Sequence, residues 1–223
     1  MENEEKQKSS FANLDRNASD ESIYEITVLN ESFYASNEVF SPKYFKSTEM
    51  LTSNFPFKKD EDFLEIGCGI GVTSIIAAKY HNNNVVAIDI NPTAVNITEK
   101  NVILHELQSQ IKVKQSSVFS DIENETFDTI YWDLPYVYSE SNTLTILQRS
   151  VSDPGYFHIE EFLKDVRSYL NPEGRIIVGF GSNGDFSKFS QLCEKFKFKI
   201  EKIYEGFNPY RKGITYQLFQ INY

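Results

Sequence analysis

The chain has 223 residues, 40% of them hydrophobic and 24% charged, with a formal net charge of −10. That length suits one sizeable domain that buries roughly 70% of its unfolded surface without disulfide or metal staples. No run approaches the ~20 apolar residues of a membrane span, so a transmembrane protein is excluded, and the acidic balance removes long-range attraction to phosphate.

The N-terminus, MENEEKQKSS, has no apolar core and does not read as a secretory signal. Residues 1–21 are polar, with only Phe11 and Leu14 as large apolar side chains, which predicts a disordered or loosely attached tail. Residues 22–60 crowd aromatics, among them Tyr24, Phe33, Tyr34, Phe40, Tyr44 and Phe45, and read as an ordered cap segment with a short helix near 47–54. Residues 61–223 form the main domain, in which strands alternate with helices. Short apolar strands are predicted at 63–66, 85–90, 111–114, 127–132 and 175–180. Helical spacing of apolar residues marks 72–80, 92–107, 157–170 and 186–196, with Pro92 at a first helical position and a turn at 171–174. Two closing segments, 198–204 and 214–221, alternate apolar and polar residues as half-buried strands do, joined by a loop. The alternation predicts an α/β fold: a mostly parallel sheet with helices on both faces and an antiparallel closing pair. Ligands of such sheets bind at the carboxyl ends of the strands.

The two cysteines, Cys68 in a glycine run and Cys193 in a predicted helix, are expected to be free thiols in a reducing, cytoplasmic setting. Three histidines form no metal-like spacing, so no metal is expected, and His81 and His158 read as surface or helix-start residues. Between residues 186 and 212 lie seven basic side chains (Lys188, Lys195, Lys197, Lys199, Lys202, Arg211, Lys212) against three acidic ones. This is either a solvated strand face with a loop or a local anion-binding patch.

The first strand ends in Leu64-Glu65-Ile66-Gly67-Cys68-Gly69-Ile70-Gly71. The dinucleotide fingerprint GxGxxG would need glycine at 72, where Val72 stands. An acidic Glu65 would repel a pyrophosphate but suits a cationic amino group. Asp89 closes the next strand, where a carboxylate can take both hydroxyls of a ribose. These features argue against a nicotinamide-dependent oxidoreductase. LEIGCGIG followed by VVAIDINPTAV resembles motifs I and II of the class I S-adenosylmethionine-dependent methyltransferases, over residues 61–221 or so. The resemblance implies a Rossmann-like seven-stranded sheet with its last strand antiparallel, and S-adenosyl-L-methionine as cofactor. It implies that Gly67, Cys68, Gly69 and Gly71 line the methionine moiety, that Glu65 sits near its amino group, that Asp89 holds the ribose and that Ile90 packs on the adenine. Ser117 and Val118 fall in the adenine-side stretch after the third strand, with Ser117 where an acidic residue is common.

The fourth strand ends in Asp133-Leu134-Pro135-Tyr136, which resembles the (Asn/Asp)-Pro-Pro-Tyr motif of nitrogen-directed methyltransferases. By that resemblance Asp133, Pro135 and Tyr136 are the catalytic candidates, with Asp133 also touching the cofactor. An acceptor at the strand end can bind the N–H of a nucleophile and aim its lone pair. Leu134 replaces the first proline and frees one φ angle. Residues 39–49 resemble the stretch before motif I in the release-factor glutamine methyltransferases, with Pro42 and Thr48-Glu49 in place and Lys43 standing for arginine. Phe40, Tyr44 and Thr48 are accordingly the cap's substrate-side candidates. The polar run 137–156 reads as a substrate loop in which Tyr138 and Tyr156 either shape the pocket or only pack.

Three functions follow: an N-methyltransferase, a nicotinamide oxidoreductase, or a cofactor-binding protein without turnover. The first is favoured. A protein side chain or small polar molecule is preferred as acceptor over an RNA base, and no membrane partner is expected.

Overall fold

A computed structural model describes residues 2–81, 83–211 and 213–223; Lys212, counted above in the basic segment, lies outside them, and side chains are described from Ser10 onward apart from the two gaps. In chain order the elements are α1 (Glu2–Ala18), β1 (Ile23–Val28), β2 (Glu31–Ser36), α2 (Ser47–Ser53), β3 (Asp62–Ile66), α3 (Val72–His81), β4 (Asn84–Asp89), α4 (Pro92–Leu104), β5 (Ile111–Gln115) and β6 (Phe127–Asp133). There follow β7 (Val137–Ser139), α5 (Ile146–Arg149), β8 (Ser152–Pro154), α6 (Phe157–Asp165), a 3-10 turn (Val166–Tyr169), β9 (Leu170–Gly181), α7 (Phe186–Lys195), β10 (Lys199–Phe207) and β11 (Thr215–Asn222). No helix among the described residues is long and apolar enough to cross a membrane.

Seven strands form one sheet in the order β10-β11-β9-β6-β3-β4-β5. The β5-β4-β3-β6-β9 ladders are parallel, and β11 runs antiparallel to both neighbours. The expected Rossmann-like sheet with an antiparallel last strand is therefore the one observed. Strand alternation divides the core in two. Phe63, Val85, Ala87, Tyr131 and Ile177 face one side, with α3 and α4. Leu64, Val86, Ile88, Ile130, Trp132 and Val178 face the other, with α6 and α7. Chain order moves outward from β3 in both directions, to β4 and to β6, so the carboxyl end of β3 is the switch point of the sheet.

Three segments differ from expectation. The turn expected at 171–174 is a bulge inside β9, where the pairing to β6 shifts between Phe127 and Thr129 and Glu173 takes φ +64. The aromatic cap contains a hairpin, β1–β2, closed by Leu29 (φ 54) and Asn30 (φ 63) in a two-residue turn of I′ type. Fully buried Asn101 of α4 fastens it: Tyr34 N–H donates to Asn101 Oδ1 at 2.7 Å, and Asn101 Nδ2 donates to the carbonyls of Tyr34 and Ile70. The polar start of the chain, expected to be loose, carries α1. Leu14 buries with Phe45 and Val151, beside Phe11, Phe40 and Leu147. Asn17 Nδ2 donates to the carbonyls of Asn37 and Val39, and Lys43 pairs with Asp20 at 2.8 Å. Phe11, Leu14 and Asn17 thus pin a helix that has no other large apolar side chain.

Candidate active site

A single cleft opens over the carboxyl ends of β3, β4 and β6. Its empty volume, counted out into the solvent at its mouth, is about 1300 Å³. Its floor is the turn after β3. Gly67, Gly69 and Gly71 all have positive φ there. A Cβ on Gly69 would meet nothing within 4 Å, which leaves a cradle open to the cleft. A Cβ on Gly71 would come within 2.8 Å of Thr98 Cγ2. Gly71 therefore packs the turn against α4 and does not line the cleft, unlike Gly67, Cys68 and Gly69.

Asp89, at the end of β4, accepts Gly69 N–H and Asn91 N–H at 2.9 Å each, one per oxygen, so it ties two turns together and keeps a lone pair on each oxygen. Asn91 caps α4 through Thr93 N–H. Ile90 is 38% exposed at the rim, beside Ser117 and Val118, whose φ of +52 turns the chain back after β5. Glu65 is buried and accepts Ser74 N–H at 2.8 Å and the Ser74 hydroxyl, at the start of α3.

At the end of β6, Leu134 is buried in the core, donates its N–H to Gly179 O at 3.1 Å, and accepts Tyr136 N–H on its carbonyl at 2.8 Å. The replacement of proline thus extends the β6–β9 ladder by one bond. Asp133 Oδ1 is buried without a hydrogen-bond partner. A Cβ on Gly179 would lie 2.6 Å from that oxygen, and one on Gly181 would lie 2.6 Å from the Tyr136 ring. Two glycines in a strand are the sequence signal for this close approach, and the sequence reading passed over them. It also passed over Ser47, Arg149 and Asp153 in the cleft wall.

Of the substrate-side candidates, Phe40 and Thr48 line the cleft, with Phe40 stacked on Phe45 at 4.2 Å. The other three do not. Tyr44 turns to α1, donating to Asp20 under Arg16. Tyr156 is fully buried, donates to the Tyr136 carbonyl and accepts Asp185 N–H, so it braces the motif from behind. Tyr138 lies edge-on to Tyr156 beneath the Lys188 ammonium, 4.0 Å from its ring. His158, expected at a surface, stands in the cleft wall at 2.9 Å from Asp153. In the basic segment Lys195 pairs with Glu160 and Lys202 with Glu205.

Burial pushes Glu65 and Asp133 up to about 7 and Asp89 to about 6; the Ser74 contact and a Ser47 contact offset only part of it for the first two, and the backbone donors part of it for Asp89. No ion pair among the described residues involves any of the three. Three desolvated carboxylates around one cleft, with an open glycine cradle between them, fit a ligand that brings its own positive charge. No group of three or more metal-ligating side chains occurs among the described residues.

Known proteins similar to this chain in sequence and fold are methyltransferases. The family model of the methyltransferase small domain matches residues 30–202. A tRNA1(Val) (adenine(37)-N6)-methyltransferase of Shewanella sediminis is 30% identical over 74% of this chain and 70% of its own. A protein of Methanocaldococcus jannaschii, provisionally named a protein N5-glutamine methyltransferase, is 28% identical over 74% of this chain and 83% of its own. The chain spans only 32% of the bifunctional methyltransferase of Rickettsia conorii, at 25% identity. In structure, the ribosomal protein L11 methylase of Lactobacillus delbrueckii subsp. bulgaricus shares the fold, with a TM-score of 0.58 over 83% of this chain and 82% of that one, at 19% identity. The chain belongs to the methyltransferase small-domain family of S-adenosylmethionine-dependent methyltransferases.

Proposed function

We propose that this chain methylates a nitrogen carried by a protein side chain or a small polar molecule. S-adenosylmethionine supplies an electrophilic methyl group on a sulfonium, next to a cationic amino group. In this reading the backbone of Gly67, Cys68 and Gly69 borders the methionine part, and Glu65 faces its ammonium. Asp89 offers its remaining lone pairs to the ribose hydroxyls, and Ile90, Ser117 and Val118 border the adenine.

The observation that carries the reading is Asp133 in the cleft wall, a carboxylate whose Oδ1 is buried without a hydrogen-bond partner. A desolvated carboxylate oxygen is costly to leave unmade and accepts an N–H strongly. Holding that N–H turns the nitrogen lone pair away from Asp133 and toward the methyl group. Leu134 and Pro135 fix the turn, and Tyr136, held against Phe180 at 5.4 Å, gives the acceptor a flat wall. Two relatives bear on the acceptor. The Methanocaldococcus protein favours a glutamine-type amide, and the net charge of −10 favours a non-nucleic partner.

A second reading, an RNA base, is favoured by the Shewanella relative and by the Tyr136 ring in the cleft wall, on which a base can stack. Transfer of tritiated methyl from the cofactor into separated protein and RNA fractions distinguishes them. Protease-sensitive label in the protein fraction, absent with Asp133→Ala, is the expected result. Nuclease-sensitive label alone overturns the acceptor class.

A further inference from the structure

One pair of titratable side chains in the cleft wall has no part in the reading above. The Asp153 side chain is fully buried, on β8, opposite Tyr138 of β7. Its Oδ2 accepts Ile159 N–H at 3.0 Å, at the start of α6. Its Oδ1 lies 2.9 Å from Nδ1 of His158. A carboxylate only accepts, so in the neutral imidazole the proton sits on Nδ1 and the lone pair on Nε2. The turn that brings His158 onto Asp153 is an unusual one. Gly155 (φ +64) and Tyr156 (φ +58) are both left-handed, and Tyr156 is kept there by its bonds to Tyr136 and Asp185.

The position of the ring follows from α6. This helix returns from the end of β6 to the start of β9, so its first turn stands at the carboxyl edge of the sheet. His158 and Phe162 lie one turn apart on one helix face. Phe162 stacks on Phe119 at 5.8 Å and meets Trp132 edge-on at 5.4 Å. His158 therefore stands between the end of β6 and the turn after β5, and it lines the same cleft as Ile90, Ser117 and Val118. That turn has weak acceptors of its own. Its side chains there are the Ser117 hydroxyl and the Ser116 hydroxyl, whose oxygen already accepts Asp121 N–H at 3.1 Å.

We propose that His158, oriented by Asp153, accepts the exocyclic amine of the cofactor's adenine through Nε2. This rests on the cofactor reading above and names the residue that reads the purine edge. An amine at that position donates to Nε2. A carbonyl at the same position sets lone pair against lone pair and is rejected.

The test is a calorimetric titration of the full chain with S-adenosylhomocysteine and S-inosylhomocysteine, which differ at that position and at the adjacent N1, an acceptor in the first and an N–H donor in the second, so the discrimination assigned to His158 is the part that its substitution removes. Wild type is expected to bind the adenosyl form about tenfold more tightly, the range of one hydrogen bond to a buried site. His158→Ala is expected to lose about tenfold for the adenosyl form and little for the inosyl form. His158→Gln, whose amide oxygen can accept, is expected to regain part of the difference, and thermal melts check that both variants are folded. Equal discrimination in wild type and folded His158→Ala overturns the assignment while the cofactor reading stands. Failure of wild type to bind either ligand overturns the cofactor reading and this inference with it.

Discussion

The two halves of the cleft differ in how far along the chain their parts come from. The half assigned to the cofactor uses three short stretches around Glu65–Gly69, Asp89–Asn91 and Ser116–Val118, each the carboxyl end of a parallel strand or the turn just after it. The half assigned to the acceptor gathers Phe40, Ser47 and Thr48 from the cap, Asp133–Tyr136 from the end of β6 and a wall running from Ile146 to Ser152. Its members are held by contacts that no local pattern announces: Tyr156 behind Tyr136, Leu14 behind Phe45 and Val151, and Gly179 and Gly181 making room for Asp133 and Tyr136. The first half is a consequence of the sheet. The second is a tertiary construction, free to vary between relatives that share one cofactor.

Substitutions sharpen that division. The largest effect is expected at Asp133: Asp133→Ala should lower turnover by about 10²–10⁴-fold, since it removes the group that holds the reacting nitrogen. Steady-state kinetics on whichever fraction takes up label reads it out, and unchanged turnover removes Asp133 from the mechanism. Next come the glycines. Gly71→Ala forces a φ of +83 and a 2.8 Å contact with Thr98, and is expected to cost about 2–3 kcal/mol, lowering Tm by about 5–10 °C. Gly69→Ala meets no atom, so it should cost about 1 kcal/mol of stability yet weaken cofactor binding more than Gly71→Ala does. The reverse pattern would mean that Gly71, not Gly69, borders the ligand.

The pH dependence follows from the three raised carboxylates. Between about pH 4 and 7 the unliganded folded chain binds more protons than the unfolded one, so their burial makes stability fall as pH rises through about 6 to 7. A cationic ligand favours the charged forms, so affinity should rise over the same window, and more for S-adenosylmethionine than for the product, which lacks the sulfonium charge. Asp133→Asn should raise Tm at pH 8 and leave it little changed near pH 4; an equal shift at both pH values would contradict the buried-charge account. The smallest effect is expected from Tyr156→Phe. Losing one hydroxyl leaves the Tyr136 carbonyl without that donor, at about 1–2 kcal/mol, with turnover reduced only a few-fold. A loss as deep as that of Asp133→Ala would place Tyr156 in contact with the acceptor.

Much of the sheet was legible from sequence because the central parallel strands β3, β4 and β6 are short apolar runs buried on both faces and the turns after β3 and β4 carry their own markers, Gly67–Gly71 and Asn91-Pro92. Asp89 and Asp133 were legible for the same reason: each is the last residue of such a strand. The parts that were not legible rest on distant partners. The helix α1 carries few apolar residues, and its docking depends on Asn17 reaching two carbonyls some twenty residues away. The β1–β2 turn places Leu29 in a left-handed conformation without glycine. Tyr156 read equally as pocket or packing until its hydroxyl was seen to brace Tyr136. His158 read as a helix start, which it is; that it also lines the cleft depends on the buried Asp153.

The division of the cleft is tested most directly by calorimetric titration of S-adenosylhomocysteine into wild type, Asp89→Ala and Asp133→Ala, each first checked for a cooperative thermal transition. Wild type and Asp133→Ala are predicted to bind within a few-fold of each other, and Asp89→Ala to show no measurable binding. Binding that survives Asp89→Ala and disappears with Asp133→Ala would contradict the assignment of both halves.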